Sequence, residues 1–292
     1  MDARLSDLSS SLLSDQKIWG PYDSFTIFDP KEREIKVAPL EDRIAYHAIL
    51  NICESVFDSY QIYDSYACRK GKGQQAALLR AKEFSHRFDW YLKCDIRKYF
   101  DSISHSILID MLERRFKDRV LHGIFNNLIA SYHSTLNKGI PIGSLTSQFF
   151  ANHYLGTLDH FVKRDLRVSG YVRYMDDFIL WDKKERLQLF LEYLNEYCTD
   201  RLQLDLKTAQ INRTSVGLPF LGMRVYPGSI RLSHRARYRF RDKIKQALSD
   251  LGSGILTLEG FCAKIRSLTA FTRMANSMSF RMRVLRENGI CP

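Results

Sequence analysis

Three aspartates lie among apolar residues, in segments whose pattern is typical of buried strands. An unpaired charge is destabilising in such a strand. Asp95 ends the segment WYLKCDI, and Asp176 and Asp177 lie inside YVRYMDDFILW. An ionised carboxylate in such surroundings is costly unless a cation or hydrogen-bond donors compensate it. Clustered carboxylates suit hard divalent cations, above all Mg²⁺, and two such ions can activate a hydroxyl and stabilise a leaving pyrophosphate. A salt-bridged surface turn is the alternative interpretation.

Hydrophobic periodicity predicts a sheet that brings these aspartates together. Residues 89–96 alternate as one strand, and residues 171–181 are typical of two short strands around a tight turn. Helices are predicted after Ser104 and over 120–131, 147–166 and 187–198, followed by a strand over 202–206. This order indicates a split βαβ, ferredoxin-like arrangement. We expect helices on one face of the sheet, and the carboxylates on the other face, free for a ligand.

The flanking segments differ from this centre. Residues 1–36 are polar and predict an irregular arm, which aromatic side chains fasten to the body. Apolar residues recur every fourth position from Leu40 to Val56 and predict a helix, and Arg69 to Gly73 form a basic turn before a second helix. A hairpin is predicted over 220–232 around Pro227 and Gly228.

Composition excludes a wholly disordered chain, a collagen and a coiled-coil rod. The 292 residues are 45% hydrophobic and 26% charged, which is typical of one large or two modest globular domains. The net charge is +11, and residues 231–292 hold thirteen Lys or Arg against four Asp or Glu, so a polyanionic partner is favoured. No CxxC pair, signal peptide or long apolar run is present, so we expect reduced thiols in a cytoplasm and no membrane span.

Five ordered blocks and the YMDD motif carry a family resemblance. YMDD at 174–177 follows DIRKYF, with YACRKGKGQQAAL before both, GIPIGSLTSQFFAN between them, and LQLDLKTAQ and LPFLGMRV after them. Together the blocks resemble those of reverse transcriptases over nearly the whole chain. The resemblance implies an α+β right-hand polymerase with fingers, a ferredoxin-like antiparallel palm and a small helical thumb. The implied division is an N-terminal arm and fingers over 1–93, a palm over 94–230 with a fingers segment near 120–146, and a basic helical thumb over 231–292.

The segment IGSLTSQ carries a subfamily signal. Most group II intron-type reverse transcriptases have QGxxxSP here, whereas this chain has Ile142 and Gln148. IGxxxSQ followed by FFAN resembles the reverse transcriptases of diversity-generating retroelements, bacterial and phage enzymes that copy a template-repeat RNA while misreading adenines. The implied partners are a template-repeat RNA, an RNA–cDNA duplex, deoxynucleoside triphosphates and a small basic, oligomeric accessory protein.

The resemblance also assigns the catalytic residues. Asp95, Ile96, Asp176 and Asp177 are implied to hold two Mg²⁺ ions, for which Mn²⁺ can substitute, with Asp177 more a support than a ligand. Lys207, which ends LQLDLK, is implied to protonate or neutralise the leaving pyrophosphate. An ordinary lysine at the end of a strand is the alternative.

Residues of three blocks are implied to bind the incoming nucleotide. Phe100 would collide with a 2′-hydroxyl and so select deoxynucleotides, although a plain core phenylalanine fits the same pattern. Ile142 cannot hydrogen-bond as a polar residue would, so we hypothesise that it contributes to adenine misreading. A solvated turn is the alternative for the basic residues near 70. The full set is Arg69, Lys70, Arg97, Lys98, Tyr99, Phe100, Ile142, Gly143 and Gln148.

Two further groups are implied to contact nucleic acid. Phe220, Leu221 and Gly222 resemble a primer grip, although packing alone would explain the first two. Basic residues crowd the start of the C-terminal module and would follow the backbone of an RNA–DNA duplex, unless they form a merely solvated helical face. They are Arg235, Arg237, Arg239 and Lys243.

We therefore predict an RNA-directed DNA polymerase of the diversity-generating type in a bacterial cytoplasm, encoded by a chromosome or a phage. A group II intron-like or domesticated reverse transcriptase of ordinary fidelity is the alternative among enzymes. A catalytically silent RNA-binding scaffold is the alternative from another class, since a sequence cannot show turnover.

Overall fold

The computed structural model describes residues 2–14, 17–28 and 32–290, which form helices packed around a central four-stranded sheet. Its strands are β1 (Asp23–Ile27), β2 (Arg33–Val37), β3 (Trp90–Asp95), β4 (Gly170–Tyr174), β5 (Asp177–Asp182), β6 (Gln210–Arg213), β7 (Leu218–Phe220), β8 (Met223–Val225) and β9 (Ile230–Leu232). Its α-helices are α1 (Asp2–Leu13), α2 (Leu40–Tyr60), α3 (Gln74–Arg87), α4 (Tyr99–Ser102), α5 (His105–Arg115), α6 (Arg119–Ala130), α7 (Leu145–His160), α8 (Lys184–Glu196), α9 (His234–Gly252), α10 (Leu258–Arg273) and α11 (Met278–Glu287).

The central sheet has the strand order β4–β5–β3–β6, and every neighbouring pair is antiparallel. Helices α4 to α7 connect β3 to β4, and α8 lies between β5 and β6. This is the predicted split βαβ order, and the mixed helix-and-sheet class is confirmed. The predicted strand at 89–96 and the two strands within 171–181 are present as β3, β4 and β5.

The sheet is covered on both faces, which corrects the expectation of a free face. Leu92 and Leu180 pack with α7 and α8 on one side. Tyr91, Ile179 and Trp181 point to the other side, where Trp181 meets Phe84 of α3 at 5.3 Å between ring centroids. Large apolar side chains on that face need cover, and α3 together with the β7–β8–β9 sheet supplies it. At the end of the sheet that bears the carboxylates, Asp95 and Asp176 stay partly exposed, so this end is open to a ligand.

The N-terminal arm is regular rather than irregular, because it contains α1 and the β1–β2 hairpin. Trp19 is buried against Tyr46, as an anchoring aromatic should be, whereas Phe25 and Phe28 are exposed. Strand β2 lies on the segment before α7, where the Lys36 amide donates to the Ile142 carbonyl at 2.7 Å. The arm therefore forms one wall beside GIPIGSLTSQFFAN, which we call the nucleotide-positioning block after the role that the resemblance implies for it.

Helix α2 exists as predicted but buries a different face. The stripe that begins at Leu40 and Ile44 is exposed, whereas Tyr46, Leu50 and Phe57 lie in the core. A strict four-residue repeat advances 40° beyond each turn of a 3.6-residue helix, so it winds around the helix instead of following one face. The buried set keeps the mixed three- and four-residue spacing that stays on one face.

The fourth strand of the sheet is not where alternation placed it. Leu202 and Leu204 are buried in a segment that follows a π-helical turn, and only Leu206 makes an isolated bridge, to Ile96. The edge strand is β6, at 210–213, which pairs with β3. The predicted hairpin within 220–232 is present as β8 and β9, with β7 added beside it.

The C-terminal module consists of α9, α10 and α11, which pack around Phe240, Ile244 and Val284. Among the described residues, no helix is both long and apolar enough to cross a membrane.

Candidate active site

The three aspartates meet at one end of the central sheet. Asp95, the last residue of β3, is paired with Asp177, the first residue of β5, and opposed residues in an antiparallel pair lie about 5 Å apart. Asp176 lies in the turn between β4 and β5, next to Met175, whose φ of 54° is left-handed. Burial raises the pKa of Asp176, and the nearby negative charge of Asp95 raises this pKa further. The carboxylates are therefore close enough to repel each other.

Such a pair of hard oxygen donors fits a divalent cation, whose charge would relieve the repulsion between Asp95 and Asp176. Within the described ranges, however, no three carboxylate, imidazole or thiol groups form a ready metal-binding cluster. Asp177 is paired with Lys93 at 2.8 Å. The assignment of Asp95 and Asp176 as the ligands and of Asp177 as a support therefore stays a prediction.

Lys207 lies directly beside this pair. Its Nζ donates to Oδ1 of Asp95 at 2.6 Å, and its backbone amide donates to the Asp95 carbonyl at 2.8 Å. Both side chains keep more than a third of their surface exposed, so the ammonium can be reached by a ligand. This position next to a candidate metal ligand is compatible with proton transfer to a leaving group.

Lys93 joins the carboxylate end of the sheet to the adjacent strand β7. Its Nζ donates to Oδ2 of Asp177 at 2.8 Å and to the Pro219 carbonyl at 2.9 Å. Oδ1 of Asp177 is buried and has no hydrogen-bond partner among the described residues. Burial raises the pKa of Asp177 to about 6, and the charge of Lys93 opposes that rise. The sequence interpretation missed Lys93, although its place two residues before Asp95 puts both on the same face of β3.

Arg173 fixes the turn that carries Asp176. This fully buried guanidinium pairs with Asp159 of α7 through Nε and Nη2, both at 2.7 Å. Its Nη1 donates to the Met175 carbonyl at 3.1 Å, and its Nη2 donates to Gln61 at 3.1 Å. One side chain thus connects the turn, α7 and the end of α2. The sequence analysis missed it, although an arginine between apolar strand residues is a readable signal of a buried ion pair.

The nucleotide-positioning block lies against β2. Gly143 has a φ of 114°, and a Cβ there would approach the Lys36 carbonyl to 2.7 Å, so only glycine fits beneath the hairpin. Ile142 is half-buried in the same segment, and half-buried Phe100 accepts a hydrogen bond at its carbonyl from the Ile140 amide at 2.9 Å. Phe100, Ile142 and Gly143 therefore lie on neighbouring segments.

Strand β2 also brings a cation that the sequence interpretation missed. The positive charge of Arg33 lies near enough to oppose the rise in the pKa of Asp176. Nothing in the N-terminal composition singled out Arg33, because its relation to Asp176 depends on the folding of the hairpin.

The predicted basic turn is tied down in part. Arg69 is mostly buried, pairs with Asp58 at 2.6 Å and donates to two backbone carbonyls, which is a structural arrangement. Lys70 is exposed and pairs with Glu54 at 2.8 Å. Gln148 accepts a hydrogen bond from the Cys68 thiol at 3.1 Å and so connects α7 to this turn.

Three assigned residues are buried, so Tyr99 and Phe220 cannot make the implied contacts through their side chains, and the implied metal contact of Ile96 could come only from its backbone carbonyl. Tyr99 packs in the core and donates to the Ala151 carbonyl, and Ile96 is fully buried. Phe220 is also buried, which leaves the turn at Leu221 and Gly222, both with positive φ, to present backbone groups. Short apolar segments gave the correct region, but the register of each strand decides which side chain faces outward. Arg97 and Lys98, in contrast, are exposed.

The basic residues of α9 flank its buried stripe, with Arg235, Arg239 and Lys243 on one side and Arg237 on the other. Arg235, Arg237 and Lys243 are exposed, and Arg239 is half-buried where α9 meets α10. Arg237 and Arg241 both approach the Phe280 ring of α11, at 5.6 and 5.5 Å from its centroid. This surface is strongly cationic, as the sequence predicted.

Comparison with protein families identifies the sequence pattern around this site. The sequence model described as "Reverse transcriptase (RNA-dependent DNA polymerase)" matches residues 29–225. The chain is 23% identical to protein YkfC of Escherichia coli over 294 residues, which cover 82% of this chain and 74% of YkfC. It is 27% identical over 139 residues to the group II intron-encoded protein LtrA of Lactococcus lactis and, equally, to the putative COX1/OXI3 intron 2 protein of Saccharomyces cerevisiae.

The chain spans only 23% of LtrA and 16% of the yeast protein. Among solved structures, apo telomerase from Candida tropicalis has a TM-score of 0.56 at 11% identity, covering 97% of this chain and 64% of that chain. Telomerase from Candida albicans in complex with telomeric RNA has a TM-score of 0.53 at 12% identity, covering 98% of this chain and 58% of that chain. These two likenesses concern the fold alone.

Proposed function

The chain belongs to the reverse transcriptase family, and we propose that it is an RNA-directed DNA polymerase that extends a primer along an RNA template. The observation that carries the proposal is the meeting of Asp95, Asp176 and Lys207 at the open end of the sheet. In this proposal residues 1–93, 94–230 and 231–292 act as fingers, palm and thumb.

Each side chain of the site has a separate role in nucleotide addition. Asp95 and Asp176 hold divalent cations, Mg²⁺ or Mn²⁺, which when bound activate the primer 3′-hydroxyl and stabilise the negative charge on the α-phosphate and the leaving pyrophosphate. Lys207, 2.6 Å from Asp95, donates a proton or a hydrogen bond to the pyrophosphate. The turn at Leu221 and Gly222 supports the primer through its backbone.

Phe100 selects the sugar of the incoming nucleotide. Its half-buried ring packs edge-on against Tyr99, 5.7 Å between ring centroids, and would collide with a 2′-hydroxyl. Phe100→Val should therefore admit ribonucleoside triphosphates, whereas unchanged sugar selectivity would remove the assignment.

Primer extension on an RNA template tests the polymerase proposal. The wild-type chain with Mg²⁺ should extend the primer, and Asp176→Ala should not. Activity that survives Asp176→Ala, or no activity of the wild type with its partners supplied, would favour the catalytically silent RNA-binding scaffold.

We further propose that the enzyme is of the diversity-generating type and misreads adenines in a template-repeat RNA. Support comes from Ile142 and Gln148, which stand where intron-type enzymes have glutamine and proline. The half-buried Ile142 side chain has no group that could hold a templating base by a hydrogen bond. The geometry of the pair between that base and the incoming nucleotide is therefore enforced less strictly. Ile142→Gln should lower the error rate opposite adenine, and an unchanged rate would contradict the proposal.

The partners follow from the same proposal. They are the template-repeat RNA, the RNA–cDNA duplex, deoxynucleoside triphosphates and a small basic, oligomeric accessory protein in a bacterial cytoplasm. The cationic face of α9 would follow the duplex backbone, so binding should weaken steeply as salt rises. A flat salt response would argue instead for a protein partner at this face.

An intron-type reverse transcriptase of ordinary fidelity is the second candidate. It is favoured by relatives such as LtrA, which are described as intron-encoded. The fidelity assay separates the two candidates, because an ordinary enzyme shows no excess of errors opposite adenine.

A further inference from the structure

A second concave surface lies away from the carboxylates, at the other end of α7. This cavity of about 650 Å³ is bounded by the C-terminal ends of α2, α5 and α7 and by the turn after α8. Its charged and aromatic walls are Tyr60, Arg115, His160, Phe161, Arg164 and Tyr197. From Gln148 to Phe161 the helix rises about 20 Å, so the cavity is remote from the nucleotide-positioning block.

Two π-helical turns build one wall of this cavity. Phe161–Asp165 continues α7, and Tyr197–Arg201 continues α8. Such turns are rare and occur frequently at functional sites. Each π-turn starts with an aromatic residue, and the rings of Phe161 and Tyr197 stack nearly parallel, 4.3 Å apart with 13° between their planes. Both rings are half-buried and line the cavity, and because each covers one face of the other, an outer face of the pair is the aromatic platform left for a ligand.

Two arginines supply the charge. Arg115 is held in place by the Val56 carbonyl at 3.0 Å and by the Ser59 hydroxyl at 2.6 Å. Arg164 is exposed and makes no hydrogen bond or ion pair with any residue in 2–14, 17–28 or 32–290. One carboxylate, Asp165, also lines the cavity, so its walls keep a net positive charge. An anion in the cavity would therefore contact the guanidinium of Arg115, which is held in place, and that of Arg164, which can reorient.

We propose that this cavity binds an unpaired segment of the RNA template, with a phosphate against Arg115 and Arg164 and a base on the Phe161–Tyr197 platform. A nucleotide combines a flat base, which can stack on an aromatic ring, with an anionic phosphate, which can pair with arginine. Stacking needs an exposed face of the base, which a paired helix does not offer. Exposed Ser59 and Arg164 border the cavity, so a strand can continue past it. The proposal rests on the proposed function, which supplies the RNA.

Equilibrium binding of two RNAs tests the inference. One is a primer–template duplex without overhang, and the other carries the same duplex with about 16 further unpaired template nucleotides, the upper site size of single-strand binding folds. Arg164→Gln should weaken binding of the extended RNA about threefold to tenfold and lower the slope of log affinity against log salt by about 1. Binding of the short duplex should not change.

Arg114→Gln is the matched control. Arg114 is exposed on the same helix as Arg115 but outside the cavity, and it pairs with Asp110. It should bind both RNAs as the wild type does. Equal affinities of Arg164→Gln and wild type for the extended RNA, or an equal loss in Arg114→Gln, would overturn the inference.

Photocrosslinking gives a second readout that needs no substitution. Thiouridine placed in the unpaired segment should crosslink to peptides that contain Phe161 or Tyr197, and crosslinks confined to other peptides would reject the site. Failure of the proposed function is seen separately, as a wild-type chain that does not extend the primer on the RNA with the unpaired template segment. A wild type that extends this primer but whose binding shows no dependence on Arg164 rejects the cavity alone.

Discussion

Lys93→Met tests how the amine between Asp177 and Pro219 stabilises the catalytic end of the sheet. The substitution keeps most of the apolar stem but removes two hydrogen bonds from a charged donor, at 2.8 and 2.9 Å. Such bonds contribute about 1.5–3 kcal/mol each. The two side chains are still 19% and 23% exposed, so solvent screening lowers the sum. We expect the free energy of unfolding to fall by about 2–4 kcal/mol.

A double-mutant cycle identifies the cause. Much of the loss comes from leaving the Asp177 carboxylate desolvated without a cation, so Asp177→Asn in the Lys93→Met background should recover part of it. The expected coupling energy is about 1–2 kcal/mol, measured by equilibrium urea unfolding. Lys117→Met is the control, because Lys117 is exposed and its amine only approaches the Glu113 carbonyl at 3.4 Å. It should change stability by less than about 0.5 kcal/mol.

Additivity would refute this reasoning. If the two substitutions add within about 0.5 kcal/mol, Lys93 and Asp177 do not stabilise each other in solution. Additivity would also mean that Lys93 does not couple the Asp177 carboxylate to strand β7.

Three other substitutions have defined outcomes. Arg173→Lys keeps the charge opposite Asp159 but loses the fork that also holds the Met175 carbonyl; thermal unfolding should show a loss of about 2–4 kcal/mol, and single-nucleotide addition should slow by about tenfold or more. Burial holds the pKa of His153 at about 4, below its usual 6.5, so its contribution to stability is full above pH 6.5 and should fall by about 2 kcal/mol from pH 7 to pH 5, measured in urea titrations as the difference between wild type and His153→Phe, because the raised pKa of Asp177 acts in the opposite direction. His153→Phe should remove that slope, and an unchanged slope would place the titrating group elsewhere. Lys207→Met should slow nucleotide addition by about tenfold or more while primer–template affinity stays unchanged in a binding assay; a wild-type rate would make Lys207 an ordinary strand-end lysine.

The central sheet could be predicted because its signals are local. Alternation in 89–96 and 171–181 located β3, β4 and β5, and the ferredoxin-like order then placed Asp95 beside Asp177. Antiparallel pairing converts two short patterns into a contact across more than eighty residues, so the candidate site followed from the topology.

Other features depended on packing that no local pattern contains. Leu202 and Leu204 alternate, yet they fill the core beside a π-turn, and β6 forms eight residues later from a more polar segment. The local pattern marks Lys93 and Arg173 but not their partners, because Asp177 and Asp159 pair with them only when strands and helices are in register. The prediction of which face of α2 is buried was wrong for a geometric reason, since a stripe of residues four apart leaves the buried face within two turns.

Primer extension by Asp95→Asn tests the central claim most directly. With an RNA template and Mg²⁺, Asp95→Asn should slow nucleotide addition by about a thousandfold or more, because a metal ligand is lost while the side-chain shape is kept. Asp205→Asn is the matched control, since Asp205 lies on the segment that faces Asp95, with its side chain exposed and only its backbone bonded to Arg97. It should extend the primer at the wild-type rate. A wild-type rate in Asp95→Asn would contradict the account.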